Sequence, residues 1–544
     1  MNWIQATINF MFDAAGEFGK YQVTQFLLHI LAAFTAGIHM MSLVTVAAVP
    51  QHRCAIPGFE DNGTRLNWDS SIVSRYIPTR LDGSLNPCQL FNPETNETTT
   101  CSSWIYDRTY YPTSRAIDWD FVCDRRWMGA VSQSAFMFGV FAGAVTLGSM
   151  ADKYGRKKIF YVSAVMQLIL GVIVAFITEY YLFLAVSFAY GYFGSAGSYI
   201  TGFVLSMELV GASKRTACGI TFQGMFAFGL MMVAMWGYLI DDKTILQVIY
   251  GLHSVLLIGH WWLIDESPRW LWSQGRYSES IDIVERGVRM NGGVMPVRSH
   301  YLEAGEEGED TPLMVPSYGI THMFRTPRLR MMTLNVCLNW FANSLAYYSL
   351  SLNTGQMFGN PYLMLFVMGL VEIPSYVMTV LVLDRTGRRC LTSSLMIVGG
   401  FACLLTAFLP KGWGTVSTAI IFVGKFCIAG SFAVIYNYSA ELFPTVLRNT
   451  ALGVGSMCAR TSGALTPLIT LLDSFDKRVP TVVFASVTLI SGLLTTLLPE
   501  TLDKPLPQSI DDGEKFGVGD TCFTTGCFGT RTRKNGSHTS PKQT

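Results

Sequence analysis

Charge is scarce in this 544-residue chain: Asp, Glu, Lys and Arg make up 14% of it, where soluble proteins run near ~25%. Half of the residues are apolar and 13% are aromatic. That balance excludes an ordinary soluble domain and describes an integral membrane protein. The charges present nearly cancel, to a formal +1. Basic residues are not interleaved with aromatics in the way that stacks bases, so nucleic acid is excluded as a partner. No glycine-rich loop ends in Gly-Lys-Ser or Gly-Lys-Thr, so there is no nucleotide cradle. Metal-ligand clusters and paired nucleophile and base motifs are missing too, and neither a metal, a cofactor nor enzymatic chemistry is expected.

Where charge is absent for about ~20 residues at a time, a helix can cross a bilayer. Such windows fall at 21–52, 127–151, 159–178, 180–207, 216–240 and 244–264 in the first half. In the second they fall near 331–352, 361–383, 390–410, 413–440, 449–472 and 479–498, with Gly355 and Asn360-Pro361 separating the first two. The spacing predicts an all-α membrane protein of twelve transmembrane helices. The expected divisions are a six-helix half at 1–264, a cytoplasmic linker at 265–330, a second half at 331–498 and a loose polar tail at 499–544. His29 and His39, inside the first span, read as packed neutral rings, with proton coupling as the alternative.

Residues 53–126 form a long polar loop after the first span. Cys54, Cys88, Cys101 and Cys123 lie there, as do the sequons at Asn62 and Asn96. Disulfides and glycans agree on an extracellular face, which leaves both termini cytoplasmic. Four cysteines allow three pairings. The short loops assigned to the inside carry ten Lys and Arg against four outside, as the positive-inside rule requires.

Three spacings reveal a duplication. The Asp152 to Lys157 stretch recurs at Asp384 to Arg389, 232 residues on; Glu208 with Arg215 recurs as Glu441 with Arg448, 233 on; and Glu266 recurs as Glu500, 234 on. Two homologous halves with an even number of spans share one orientation and meet along the membrane normal, with substrate at mid-depth between them. Asp152, Arg156, Glu208 and Arg215, with Asp384, Arg388, Glu441 and Arg448, are expected as ion pairs that hold the inner side shut and separate when it opens.

Glu372, Lys425 and Arg460 stand near the middle of apolar spans, where a charge must face protein, water or a ligand. Two positives and one negative favour a ligand bearing a carboxylate. Arg460 offers a planar fork for it. Glu372 either meets a ligand cation or pairs with Lys425. Trp340, Tyr347, Tyr348, Tyr436 and Tyr199 supply rings whose faces attract an ammonium group.

The 148–157 stretch resembles the loop signature of the major facilitator superfamily, with Val380 replacing a glycine in the second copy. Glu266-Ser-Pro-Arg-Trp-Leu, Val371-Glu372-Ile-Pro374, Ala440-Glu441-Leu-Phe-Pro444-Thr-Val-Leu-Arg448-Asn449 and Pro499-Glu500-Thr resemble the organic cation, organic anion and carnitine transporter family over residues 15–510. The resemblance implies the major facilitator fold, a plasma-membrane location and transport by alternating access. It also implies that Trp340, Tyr347, Tyr436, Tyr199 and Gln223 line the cavity. The position of Arg460 looks like an Asp in cation carriers and an Arg in anion and carnitine carriers, and the 371–377 stretch is nearest the carnitine branch. A small zwitterion or organic anion is therefore the expected substrate, carried by secondary-active or facilitative transport, with Na+, H+ and exchange left open as the driving force. An organic cation uniporter and a transport-incompetent receptor of the same fold are the alternatives. The oligomeric state is left open, and the lipid bilayer is the one other partner expected.

Overall fold

The structure, a computed structural model, describes residues 16, 18–60, 67–68, 70–79, 85–93, 96–211, 214–294, 319–352, 357 and 359–525. The uncharged windows form helices, ended where a polar side chain can take the free backbone groups. In the first half these are α1 (Lys20–Val46), α2 (Arg126–Tyr154), α3 (Arg156–Ile173), α4 (Tyr180–Tyr190), α5 (Tyr199–Leu209), α6 (Arg215–Leu239) and α7 (Lys243–Leu252). A π-helical segment, Gly191–Ser198, joins α4 to α5 without a break. After α8 (Tyr277–Met290) in the linker come α9 (Pro327–Leu352), α10 (Pro361–Thr386), α11 (Arg388–Thr406), α12 (Gly414–Leu442), α13 (Arg448–Thr470) and α14 (Val479–Thr495).

Local chemistry sets these ends. Glu179 caps α4 through the amides of Tyr181 and Leu182, and Asp242 caps α7 through Thr244 and Ile245. Asn360 accepts from Tyr362 N at 2.9 Å ahead of Pro361, so the expected break between 352 and 361 is a new helix start. Among the described residues, eight helical stretches are long and apolar enough to cross a membrane. The α4 to α5 run with its π-helical middle, α9, α13 and α14 fall outside that set. For α9 and α13 the cause is composition: they carry Asn335, Asn339, Asn343, Ser456 and Arg460.

The two turns at the foot of α2 and α10 are built alike. Gly155 (φ +107°) and Gly387 (φ +86°) take backbone that favours glycine, and a Cβ would lie 2.6 Å from a Glu266 oxygen and 2.5 Å from a Glu500 oxygen. Each carboxylate caps the next helix: Glu266 accepts from Arg156 N and Lys157 N, Glu500 from Arg388 N and Arg389 N. The duplication in the sequence is thus repeated atom for atom.

The loop after α1 folds into a lobe with two antiparallel ribbons. β1 (His52–Cys54) pairs with β4 (Trp104–Tyr106), and β2 (Gln89–Asn92) with β3 (Glu97–Thr100). Its bridges are Cys54–Cys101 and Cys88–Cys123. Arg53 and Glu60 pair inside it, fully buried. The lobe is anchored to the first half: Arg115 donates to the carbonyls of Val174, Ala175 and Ile177, and Ser114 to Ala48 O. Asn96 lies exposed in the turn between β2 and β3, and Asn62 lies outside the described residues.

The halves meet through α2 against α13 and α6 against α10. On the lobe side, Arg126 pairs with Asp473, Ser134 Oγ donates to Ala464 O at 2.8 Å, and Tyr362 OH donates to Tyr110 O at 2.8 Å. The segment after α14 differs from the expected loose tail as far as Thr525. Glu514, in α15 (Ile510–Lys515), caps α9 by accepting from Arg328 N and Leu329 N, and Asp520 pairs with buried Arg389 at 2.8 Å. Unfilled helix N-termini and a buried guanidinium draw the acidic residues of the tail onto the second half.

Peptide mapping without reduction should return Cys54–Cys101 and Cys88–Cys123 as the cross-linked pairs. Recovery of a Cys54–Cys88 or Cys54–Cys123 peptide contradicts this lobe.

Candidate functional site

A cavity of about 740 Å3, counted to its mouth, lies where the halves meet. Met40, Met137, Tyr199, Gln223 and Phe226 reach it from the first half. The second half contributes Tyr347 and Tyr348 from α9, Tyr376 from α10, Phe432 and Tyr436 from α12, and Arg460 from α13. On α13 the lining residues are Ser456, Ala459, Arg460 and Gly463, a three- and four-residue spacing that puts one helix face on the cavity. Arg460 stands mid-helix on that face. Its Nε is buried without a hydrogen-bond partner, and no carboxylate pairs with it among the described residues. Tyr199, Tyr348 and Tyr436 stand within electrostatic reach of the guanidinium.

Glu372 and Lys425 are fully buried and pair with each other at 2.8 Å. Tyr347 OH donates to both Glu372 oxygens, at 2.8 and 3.0 Å, and Tyr376 OH donates to Oε2 at 3.0 Å. Lys425 Nζ also donates to Ser351 Oγ at 2.7 Å and sits 3.3 Å from the centre of the Tyr347 ring. Every charge in this network is therefore met inside protein, and the phenol rings separate it from the cavity. Trp340 is fully buried too: its Nε1 donates to Ser439 Oγ at 3.0 Å, and its ring stands edge-on to Tyr436 at 4.3 Å.

Of the eight residues predicted for substrate, Arg460, Tyr347, Tyr436, Tyr199 and Gln223 line the cavity. Trp340, Glu372 and Lys425 stand one layer behind it, because each finds its partners in neighbouring helices. Phe226, Tyr376, Phe432 and Ser456 were missed. Three of them lie four residues from a predicted site residue: Tyr376 after Glu372, Phe432 before Tyr436 and Ser456 before Arg460. Helical spacing would have found them.

The charged motifs at the other end of the bundle form two matching clusters. Arg156 pairs with Asp152 at 3.1 Å and Glu208 at 3.0 Å; Arg388 pairs with Asp384 at 3.2 Å and Glu441 at 3.0 Å. Arg215 donates to Val210 O and Arg448 to Thr445 Oγ1, each within its own turn. The expectation was of pairs that hold the inner side shut and separate when it opens. Here, among the described residues, these ion pairs join helices of one half, since the tight glycine turns aim each arginine at the adjacent helix. Arg156 Nη1, Glu208 Oε2 and Arg388 Nη1 remain buried without hydrogen-bond partners.

A model of the sugar (and other) transporter family matches residues 68–509. The chain is 36% identical to a protein named organic cation transporter protein of Drosophila melanogaster, over 92% of this chain and 93% of that one. It is 30% identical to the human organic cation/carnitine transporter 2, over 91% and 92%. Human solute carrier family 22 member 16 is 31% identical over 93% and 92%. The inward-open E. coli xylose transporter XylE has the same fold, with a TM-score of 0.60 at 15% identity over 91% of this chain and all of that one. These relatives are named for transport, not for an enzymatic reaction. The chain belongs to the sugar (and other) transporter family of the major facilitator superfamily, and within it to the organic cation/carnitine type of solute carrier family 22.

Proposed function

We propose that this transporter carries small zwitterions or organic anions of the carnitine or amino-acid-derivative kind, by alternating access through twelve membrane spans. The observation that carries the reading is the charge balance of the cavity. The buried acid Glu372 is neutralised by Lys425, while among the described residues Arg460 has no acid of its own. A substrate carboxylate supplies the missing partner in two parallel hydrogen bonds. The rings of Tyr199, Tyr376, Tyr436, Phe226 and Phe432 suit an alkylated ammonium at the other end of the molecule. The tyrosine Tyr347 is a poorer cation acceptor, since Lys425 already occupies its far face.

In this reading the protein lies in the plasma membrane with both termini and the linker cytoplasmic, the lobe outside and a glycan on Asn96. The unused atoms of Arg156, Glu208 and Arg388 take partners across the halves when the inner side closes. Comparing flux with and without a Na+ gradient, an H+ gradient and a counter-substrate separates ion coupling, exchange and facilitated uptake. A second reading, an organic cation uniporter with Arg460 as a fixed structural charge, draws on the name of the Drosophila relative and on the aromatic walls. Competition between an amino acid derivative and its decarboxylated amine separates the two. If the amine competes as well as its parent, the carboxylate reading fails.

Arg460→Ala should abolish uptake of a carboxylated substrate, a loss of about 3 kcal/mol or a hundredfold for a charged bidentate contact, with surface expression unchanged. Uptake at the parental rate removes Arg460 from the site. Lys425→Met leaves Glu372 buried without its counter-ion and should cost about 3–5 kcal/mol of stability, read as a fall in Tm in detergent. Glu372→Gln combined with Lys425→Met should recover most of that fall; a single variant that melts like the parent rules the pair out as a support of the cavity wall.

A further inference from the structure

The internal duplication offers a comparison that the transport reading does not use. Lys157 and Arg389 occupy equivalent positions, each second in its helix and each donating its backbone N–H at 3.1 Å to an Oε2, of Glu266 and Glu500 respectively. In the second half the basic side chain is enclosed. Arg389 is fully buried, donating at 2.8 Å to Asp520 Oδ1 and at 3.1 Å to Leu498 O. The tail of the chain thus delivers a carboxylate to that corner. Among the described residues, nothing equivalent arrives in the first half. The residue 234 positions before Asp520 is Arg286, itself basic and paired with Asp265 at 2.9 Å. Among the described residues, neither Lys157 nor its exposed neighbour Lys158 pairs with a carboxylate.

What surrounds Lys157 is instead aromatic and open to the membrane boundary. Its Nζ stands 4.8 Å from the centre of the Trp261 ring, and Tyr161 packs against the same indole at 4.8 Å. Trp262 beside it is 82% exposed. Lys158 ends the stripe of exposed apolar residues that runs down α3 through Val162, Ile169 and Ile173. An apolar face that stops at lysines and tryptophans marks the level where acyl chains give way to headgroups.

We propose that the corner made by Lys157, Lys158 and Trp261 binds the headgroup of an anionic phospholipid, its phosphate taking the place that the Asp520 carboxylate has in the second half. The acyl chains lie along the Val162 to Ile173 stripe, and the indole under Lys157 holds the ammonium level with the phosphate. On the orientation proposed above this is the cytoplasmic leaflet, where anionic lipids concentrate. Binding itself depends on neither that orientation nor the identity of the substrate.

The test uses purified full-length protein in neutral detergent, with lipid retention read by native mass spectrometry and thermal unfolding read in parallel. Dioleoylphosphatidylglycerol, dioleoylphosphatidylcholine and inorganic phosphate form the three arms. The anionic lipid should be retained and should raise Tm above the zwitterionic lipid, with no effect of phosphate alone. Lys157→Ala with Lys158→Ala should weaken its retention by about tenfold or more, while Lys157→Arg with Lys158→Arg keeps it. Trp261→Leu leaves both charges, gives a smaller loss, and tests the corner should the alanine pair not fold. Equal retention of the two lipids by the parent, equal stabilisation by phosphate, or retention unchanged in the alanine pair and in Trp261→Leu each overturns the proposal.

Discussion

A charge in the hydrocarbon layer must find a partner or stand in a wet cavity, and the middle of this molecule is arranged around how three charges meet that demand. Glu372 and Lys425 answer it with each other, helped by two phenols and a serine hydroxyl. Arg460 answers it by facing the cavity. The difference gives the cavity its sign. The polar residues that keep α9 and α13 from passing as membrane spans by composition are likewise turned from lipid: Asn335 and Asn339 of α9 donate to α14, Asn343 accepts from Ser431 of α12, and Ser456 and Arg460 of α13 line the cavity.

Alternating access needs two bodies that hold their shape while the contact between them changes. The matching clusters at Arg156 and Arg388, each tied to a carboxylate on either side, stiffen one half apiece, and Glu266 and Glu500 close the turns beneath them. Polar links between halves gather on the lobe side, at Arg126 with Asp473 and at Tyr362 with Tyr110. The lobe itself rides on the first half through Arg115, so in the proposed alternating-access cycle its contact with Tyr362 is one of those that opening toward the lobe breaks.

The halves are equal in design but not in finish. In the second, the tail brings Glu514 to the head of α9 and Asp520 to Arg389. In the first, the linker helix α8 lies near the foot of α1, where Asn291 accepts from Tyr21 N and Asp265 from Tyr21 OH. Each half therefore has its own closure at the face opposite the lobe, and among the described residues it is the second closure that covers the second residue after the glycine turn, Arg389.

Composition and period determined much of this before any coordinates. Uncharged windows gave the helices to within a few residues, as at 361–383 against Pro361–Thr386, because hydrocarbon tolerates one backbone solution. Equal offsets gave the duplication, because a tight turn needs its glycine and its capping carboxylate at fixed positions. Arg460 was legible for the same reason: a guanidinium in an apolar run has few places to go. Tertiary structure alone decided which of the charged and aromatic residues reach the cavity. Glu372, Lys425 and Trp340 have the same local sequence character as Arg460 and Tyr436, and their retreat behind the wall depends on Ser351, Ser439 and Tyr347 brought from other helices, with Tyr376 one turn along from Glu372. The pairing of four cysteines, the inward turn of the Arg156 and Arg388 clusters and the docking of the tail were settled in the same way, by partners remote in the chain that no spacing records.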